Sequence, residues 1–285
     1  MSFEIVDILS LASGNENEDR AGVAPPFAWV IDGATDVVPE PLTHAPSDAA
    51  WFAAAMNETL HEMATAPPQS LVDVPRLVAE RLAPRFTAET RRVAAGPEEH
   101  PSAAAIIVRA TGRSEIEYVS LGDCTLLIEH GDGFTQIGVD EETAGDRWVA
   151  EALTGRETDG EPQQAPLTRA DLWPRLRAQR ARMNAPSGYG IFSITPPPGA
   201  MIRHGTLPVS PGARILLASD GLLRLVDVFR QYDTSRLFAA AWSGGLAPLF
   251  SELRALEADD AECTRFPRAK TSDDTTAVLL RVTAP

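Results

Sequence analysis

Three aspartates that share one setting are the residues of this sequence whose types and spacing could do chemistry. Asp32, Asp220 and Asp273 each stand at one end of an apolar segment that is typical of a strand. Glycine follows two of them, and Gly33 and Gly221 permit backbone conformations with positive φ, so that a neighbouring carbonyl could turn toward a bound ion. Because oxygen donors suit hard cations, the pattern predicts a site for Mg²⁺ or Mn²⁺.

The electrostatics of such a cluster also favour bound cations. Carboxylates brought within about 4–6 Å of one another raise each other's pKa values unless a positive charge offsets the repulsion. A pair of divalent ions would supply that charge. The same dipeptides are also common in ordinary turns, so any one of these positions taken alone is explained by a turn.

The elements that must position these aspartates follow from the periodicity of the chain. Strands are predicted at 3–10, 27–31, 103–109, 116–121, 125–129, 134–137, 191–195, 213–218 and 276–282. Helices are predicted from Ser47 onward, within 71–86 and across 234–256. Since the strands between 103 and 137 follow one another without helices, they indicate an antiparallel meander and not a parallel series.

Length and composition indicate one soluble domain that spans 1–285. Of its 285 residues, 44% are hydrophobic and 23% are charged, and the polar, arginine-bearing stretch at about 140–185 is interpreted as a flap-like insertion. The formal net charge of −15 disfavours nucleic acid and anionic membranes as partners. Cys124 and Cys263 form no C-x-x-C pattern and no apolar run approaches the roughly 18 residues of a membrane span, so we expect a cytoplasmic protein.

Four blocks of sequence resemble the motifs of the metal-dependent protein phosphatase 2C family, and an acidic block near the start of the chain adds to them. They are Asn17-Glu18-Asp19-Arg20, the strand 28–33 with its Asp-Gly end, the strand 119–123 ending in Gly-Asp, the block 215–221 that reads I-L-L-A-S-D-G, and the block 272–278 that reads S-D-D-T-T-A-V. The resemblance covers nearly the whole chain. It implies an α+β fold, a four-layer α-β-β-α sandwich of two mainly antiparallel sheets flanked by helices.

The resemblance also implies an activity and a role for each matching residue. The activity is hydrolysis of phosphoserine or phosphothreonine in a protein partner by a metal-bridging hydroxide, without a covalent enzyme intermediate. Asp32 would bridge two Mg²⁺ or Mn²⁺ ions, the carbonyl of Gly33 would contact one, and Asp220 and Asp273 would ligate the other, which makes these three aspartates the catalytic set. Glu18 and Asp19 would act through metal-bound water, and Asp123 matches the position of a third metal.

The sequence departs from the family pattern in two places. The bridging motif reads Asp-Gly-Ala-Thr instead of Asp-Gly-His or Asp-Gly-Met, and Ala34 cannot donate a proton. The phosphate-binding arginine that usually precedes the acidic block is absent from 12–16. Arg20, Arg268 or Lys270 could replace its charge, although each is more simply interpreted as a surface residue.

The insertion carries a run of arginines that has two interpretations. The run consists of Arg169, Arg175, Arg177, Arg180 and Arg182. Their spacing indicates a solvated basic face of a helix, which could also attract a phosphorylated or acidic partner. Together with the two departures, this run motivates an alternative function, a catalytically silent phosphatase-like module that binds protein partners through the flap.

Overall fold

The computed structural model describes residues 1–38, 40–112, 114–130, 133–138 and 169–284, in which strands form two antiparallel sheets. The strands are β1 (Ser2–Leu11), β2 (Asp19–Ala24), β3 (Phe27–Gly33), β4 (Ser102–Ala110), β5 (Glu115–Leu121), β6 (Thr125–His130), β7 (Gly133–Ile137), β8 (Phe192–Ser193), β9 (Arg203–Pro208), β10 (Arg214–Ala218) and β11 (Thr275–Thr283). One sheet has the order β1-β11-β10-β6-β7. The other has the order β2-β3-β4-β5-β9, with β8 paired to β4.

Helices cover the outer faces of both sheets. They are α1 (Asp48–Thr65), α2 (Val74–Glu89), α3 (Arg169–Arg180), α4 (Asp220–Asp227), α5 (Thr234–Gly244) and α6 (Leu246–Asp259). The first two pack on the sheet that contains β3 and β4, and the last three pack on the sheet that contains β10 and β11. The layers therefore follow the order α-β-β-α, which confirms the predicted fold class.

The apolar runs of β3 and β4 are explained by burial on both faces of their sheet. Side chains alternate along a strand, so neighbouring residues point to opposite layers. Trp29 and Ile31 pack against α1 and α2, whereas Ala28 and Val30 pack between the two sheets. A strand that is buried on both sides has no face exposed to solvent. Its sequence is therefore an uninterrupted run of hydrophobic residues, without alternating polar positions.

Helix α1 begins where the sequence predicts it. The hydroxyl of Ser47 accepts a hydrogen bond from the main-chain nitrogen of Ala50 at 3.0 Å, which satisfies one of the free donors of the first turn. The apolar stripe that includes Phe52 and Met56 is buried against the sheet. This packing fixes α1 beside β3, the strand that carries Asp32.

The predicted insertion at 140–185 falls mainly outside the described residues, since 139–168 lie there. Its last part forms α3, which is followed by turns that lead to β8. No helix in the described ranges is both long enough and apolar enough to cross a membrane.

Candidate active site

The predicted acidic site begins with a pair of aspartates on adjacent strands. Asp19 and Asp32 are directly opposite each other in the antiparallel pairing of β2 with β3. The hydroxyl of Ser219, which follows β10, donates a hydrogen bond to Oδ2 of Asp19 at 2.8 Å. The same hydroxyl accepts from the main-chain nitrogen of Thr276 at 3.0 Å. Ser219 therefore ties the ends of both sheets together at the aspartate pair.

Burial and mutual repulsion govern the charge of this pair. Burial raises the pKa of Asp19 well above its ordinary value, and the nearby charge of Asp220 adds to the rise, while the hydrogen bond from Ser219 opposes it. Burial likewise raises the pKa of Asp32, followed by the charges of Asp19 and Asp220. A cation placed among these carboxylates would reverse both effects, since it favours their ionised forms.

Glycines beside the aspartates are required by close packing and not by backbone conformation. Neither Gly33 nor Gly221 has φ in the left-handed region, so neither uses the positive φ that glycine permits. A Cβ on Gly33 would lie 2.6 Å from the carbonyl oxygen of Glu18, and a Cβ on Gly221 would overlap the carbonyl of Asp274. Only glycine lets these backbone segments approach, and the approach is what brings the acidic ends together.

Asp220 and Asp123 complete the acidic wall. Asp220 follows the end of β10 by two positions, as the sequence predicts, and it is also the first residue of α4, a helix that the sequence analysis did not predict. Asp123 lies in the turn between β5 and β6, after Gly122, whose φ is 79°. Both side chains line the same cavity as Asp32. The charge of Asp123 is among the causes that raise the pKa of Asp32, which places it at the site.

Asp273 is held by two cations. Nη2 of Arg224 lies 2.7 Å from its Oδ2, and Nζ of Lys270 lies 3.0 Å from its Oδ1. Although burial acts to raise the pKa of Asp273, the charges of Lys270 and Arg224 lower it. Arg224 is itself buried and also pairs with Glu257. Both oxygens of the predicted ligand Asp273 therefore accept bonds from protein cations, a feature that the sequence analysis missed.

Thr35 belongs to the Asp-Gly-Ala-Thr motif, which differs from the family pattern, and its hydroxyl connects Glu18 to Lys270. Its hydroxyl donates to Oε2 of Glu18 at 2.8 Å and accepts from Nζ of Lys270 at 2.8 Å. The main-chain nitrogen of Glu18 in turn donates to Oδ2 of Asp274 at 2.5 Å. Thr35 thus positions two charged side chains beside the acidic wall.

The C-terminal end of α3 contacts the same loop. Arg180 donates through Nη1 to the carbonyl of Thr35 and through Nη2 to the carbonyl of Ala34, both at 3.0 Å. Its side chain is buried, its Nε has no hydrogen-bond partner, and burial lowers its pKa. The prediction of a fully solvated basic face was therefore wrong at Arg180, and Arg177 of the same helix pairs with Glu98.

The other candidate cations divide between structural roles and the site. Arg20 donates through Nη1 to main-chain carbonyls of its own turn. Arg268 is fully buried and bonded to Asp260 at 2.7 Å, so its interpretation as a surface residue was wrong. Lys270 lies in the cavity, where burial acts to lower its pKa but the charge of Asp273 raises it. The ammonium group therefore remains charged.

A cavity of about 620 Å³ opens beside the acidic wall. Its polar side is formed by the aspartates with Lys270 and Arg180. Its apolar side is contributed mainly by α3 and the segment before β8, namely Leu172, Trp173, Leu176, Tyr189 and Ile191. The volume is that of a small-molecule or side-chain pocket.

The structure brings the seven residues predicted for the site to one end of the sandwich. They are Glu18, Asp19, Asp32, Gly33, Asp123, Asp220 and Asp273. Within the parts of the chain that the structure describes, no three carboxylate, histidine or cysteine side chains form a group that could hold a metal as they stand. The end of the sandwich thus gathers acidic charge without presenting a preformed coordination sphere.

In comparisons with known proteins, no family model and no curated protein matches this sequence, whereas solved structures do. The serine/threonine phosphatase PstP/Ppp of Mycobacterium tuberculosis has a TM-score of 0.59 at 14% identity, over 99% of this chain and 100% of that chain. The catalytic domain of PstP in complex with 2 manganese ions has a TM-score of 0.56 at 15% identity, over 99% of this chain and 98% of that chain.

A further solved structure is the PPM Ser-Thr phosphatase MsPP from Mycobacterium smegmatis in complex with cacodylate. It has a TM-score of 0.52 at 18% identity, over 98% of this chain and 99% of that chain. These similarities extend over nearly the full length of each chain. Together with the α-β-β-α layers, they show that this chain has the PP2C-like fold of the PPM serine/threonine phosphatases.

Proposed function

We propose that this protein hydrolyses phosphomonoesters, specifically phosphoserine and phosphothreonine in proteins, with Mg²⁺ or Mn²⁺ bound at the acidic end of the sandwich. The observation that carries the proposal is the gathering of Asp19, Asp32 and Asp220 beside a cavity, where burial and the charge of Asp220 raise the pKa values of Asp19 and Asp32. Asp220 lies in the block 215–221, one of the two blocks that resemble the phosphatase family most closely. A solved structure of the same fold contains manganese ions, which supports the choice of metal.

The donor set of the acidic wall fits a hard divalent cation. Asp32 and Asp220 would supply carboxylate oxygens, the carbonyl of Gly33 would supply a third, and Asp123 lies within the same wall. Bound there, Mg²⁺ or Mn²⁺ would supply positive charge to the phosphoryl oxygens and lower the pKa of water. Because buried carboxylates with raised pKa values are stabilised by nearby positive charge, the protein gains stability when such an ion binds.

The chain's own residues hold this arrangement in place. Ser219 orients Asp19, and Thr35 orients Glu18, each through a hydrogen bond of 2.8 Å. Arg224 fixes Asp273 from the buried side. The apolar side chains of α3 form one wall of the cavity, and a less polar surrounding strengthens electrostatic interactions.

The test is a phosphatase assay on phosphoserine and phosphothreonine peptides, with Mn²⁺ and with a chelator. We expect turnover only with metal, and we expect Mn²⁺ to raise the melting temperature. Asp32→Asn should abolish both effects, whereas Asp259→Asn, an exposed carboxylate on α6, should preserve them. Metal-independent turnover, or an unchanged Mn²⁺ shift in Asp32→Asn, would contradict the proposed site.

The second candidate is the silent module that binds partners, and one observation favours it. Both oxygens of Asp273 already accept bonds from Lys270 and Arg224, so this carboxylate has protein cations where the family pattern places a metal. The same assay separates the two functions. If Mn²⁺ raises the melting temperature and no phosphopeptide or aryl phosphate is hydrolysed, the protein binds metal without catalysis and the silent module is correct.

A further inference from the structure

Lys270 is the only lysine in the sequence, in which 24 of the 25 lysine and arginine residues are arginine. Its Nζ lies 2.8 Å from Oγ1 of Thr35 and 3.0 Å from Oδ1 of Asp273. An ammonium group has three N–H donors, so these two contacts leave one. The side chain is 44% exposed and lines the cavity beside Asp32. A fixed positive charge with a remaining donor therefore faces the space next to the acidic wall.

A phosphomonoester needs such a charge at this place. Its phosphoryl group carries about −1.5 to −2 charges at neutral pH, and the wall beside it is acidic. The segment that lacks an arginine serves another purpose, because the nitrogen and hydroxyl of Ser13 both donate to Oδ1 of Asp274, at 2.7 and 2.9 Å. These hydrogen bonds hold the N-terminal loop in place. The loop therefore has a structural role and offers no cation to a substrate.

The other cations near the site are committed to protein groups. Arg20 donates to carbonyls of its own turn, and Arg268 is fully buried. Arg180 uses both Nη atoms to hold the carbonyls of Ala34 and Thr35. Its remaining donor, Nε, is buried. Of the two described basic residues that line the cavity, Lys270 and Arg180, Lys270 is thus the one with a substantially exposed side chain.

We propose that Lys270 binds the phosphoryl group of the substrate and that Thr35 and Asp273 position its ammonium. This inference rests on the proposed function and names the residue that replaces the absent arginine. A lysine acts as a compact point charge with rotatable donors, which suits a position already braced by two oxygens better than a planar guanidinium does. The competing role is that of a counter-ion which only neutralises Asp273.

Chemical modification tests the inference without turnover. The chain offers an acylating reagent two amines, the α-amine and Lys270, so peptide mass spectrometry can follow each rate separately. In the Mn²⁺-loaded protein, inorganic phosphate should slow acylation of Lys270 severalfold relative to chloride at equal ionic strength, while the α-amine reacts at the same rate. Equal rates at Lys270 with and without phosphate would refute the inference.

Kinetics and binding of variants supply the second test. Loss of one charge-assisted hydrogen bond should raise KM for an aryl phosphate, and Kd for inorganic phosphate, by about 10- to 100-fold in Lys270→Met. The change in kcat should be smaller, and Lys270→Arg should recover part of the affinity. The matched control is Arg265→Met, which removes an exposed cation from the preceding loop outside the cavity and should change neither constant.

The outcomes also separate this inference from the proposed function. If Lys270 is only a counter-ion, the Lys270→Met variant should bind Mn²⁺ more tightly in calorimetry and have an unchanged Kd for phosphate. That result would refute the inference. If the wild-type protein hydrolyses no phosphoester, the proposed function fails. Phosphate protection of Lys270 and the phosphate Kd of the variant then still decide whether Lys270 is an anion-binding residue.

Discussion

The hydroxyl of Ser219 lies 2.8 Å from Oδ2 of Asp19, across 200 positions of sequence, and supplies the hydrogen bond that opposes the rise in the pKa of that buried carboxyl. The same oxygen accepts from the nitrogen of Thr276. One small side chain thus serves an acidic residue of one sheet and the backbone of the other. Its removal affects both partners at once.

Ser219→Ala is therefore expected to destabilise the metal-free protein by about 1–3 kcal/mol, because it leaves a buried acceptor and a buried donor without their partner. The measurement is urea denaturation in the presence of a chelator, with the midpoint compared at a constant m value. Ser251→Ala on the exposed side of α6 is the control and should change the midpoint little. Equal midpoints for the two variants would mean that the contact of Ser219 with Asp19 contributes no stability.

Asp36 should make the free energy of unfolding depend on pH. Burial raises its pKa to about 6, in spite of the hydrogen bond it accepts from the nitrogen of Asp48. The folded protein then holds this proton more tightly than the unfolded chain does. The stability that Asp36 contributes is fully present below pH of about 4 and is lost as the pH rises through about 6.

Asp36→Asn should remove that part of the pH dependence. In chelator, the fall in unfolding free energy between pH 4 and pH 7 should be shallower in the variant by about 2 kcal/mol, since the amide keeps an acceptor for Asp48 but does not ionise. Asp233→Asn, an exposed carboxylate that caps α5, is the control for loss of a surface charge. Parallel curves for wild type and Asp36→Asn would show that Asp36 titrates normally.

Arg180 should control the order of the loop that carries Thr35. Arg180→Met removes the two hydrogen bonds to the carbonyls of Ala34 and Thr35, and we expect faster amide hydrogen exchange in 34–38 and in α3. Arg175→Met, at an exposed position of the same helix, should leave exchange unchanged. Faster exchange in α3 alone would mean that Arg180 stabilises the helix without coupling it to the acidic site.

Sequence reasoning located the acidic residues because local patterns mark them. An aspartate that follows an apolar strand can be recognised from the sequence alone. Because the ends of antiparallel strands converge in the sandwich, Asp32 and Asp220 could be predicted to lie close together. The positions of the cations in the site could not be predicted in this way. Arg180 meets Thr35 from 145 positions away, and Lys270 meets it from 235 positions away, so no local spacing signals either contact.

The interpretation of surface residues failed for a related reason. A charged side chain is assumed to be solvated unless a partner is known, and Asp260, the partner of Arg268, meets it only when the end of α6 packs beside the loop before β11. One signal was available. A lone lysine in an otherwise lysine-free chain, three residues before Asp273, distinguishes Lys270 from the arginines.

Gly221 provides the sharpest test of how the acidic ends are assembled. A Cβ at this position would overlap the carbonyl oxygen of Asp274, a backbone atom that cannot rotate away, and Asp274 is itself bonded to Ser13 and to Glu18. Gly221→Ala should therefore separate the start of α4 from the start of β11, at a cost of at least about 2 kcal/mol. Urea denaturation in chelator measures this cost.

Gly244→Ala is the matched control, because a Cβ at Gly244 meets no atom within 4 Å and the residue ends a helix. That variant should be neutral or more stable by about 0.4–1 kcal/mol, since alanine reduces the freedom of the unfolded chain. Because the separation at Gly221 also displaces Asp220 from Asp19, Gly221→Ala should weaken the Mn²⁺-dependent rise in melting temperature. A stable Gly221→Ala variant with an unchanged Mn²⁺ shift would show that close packing at Gly221 does not position the acidic wall.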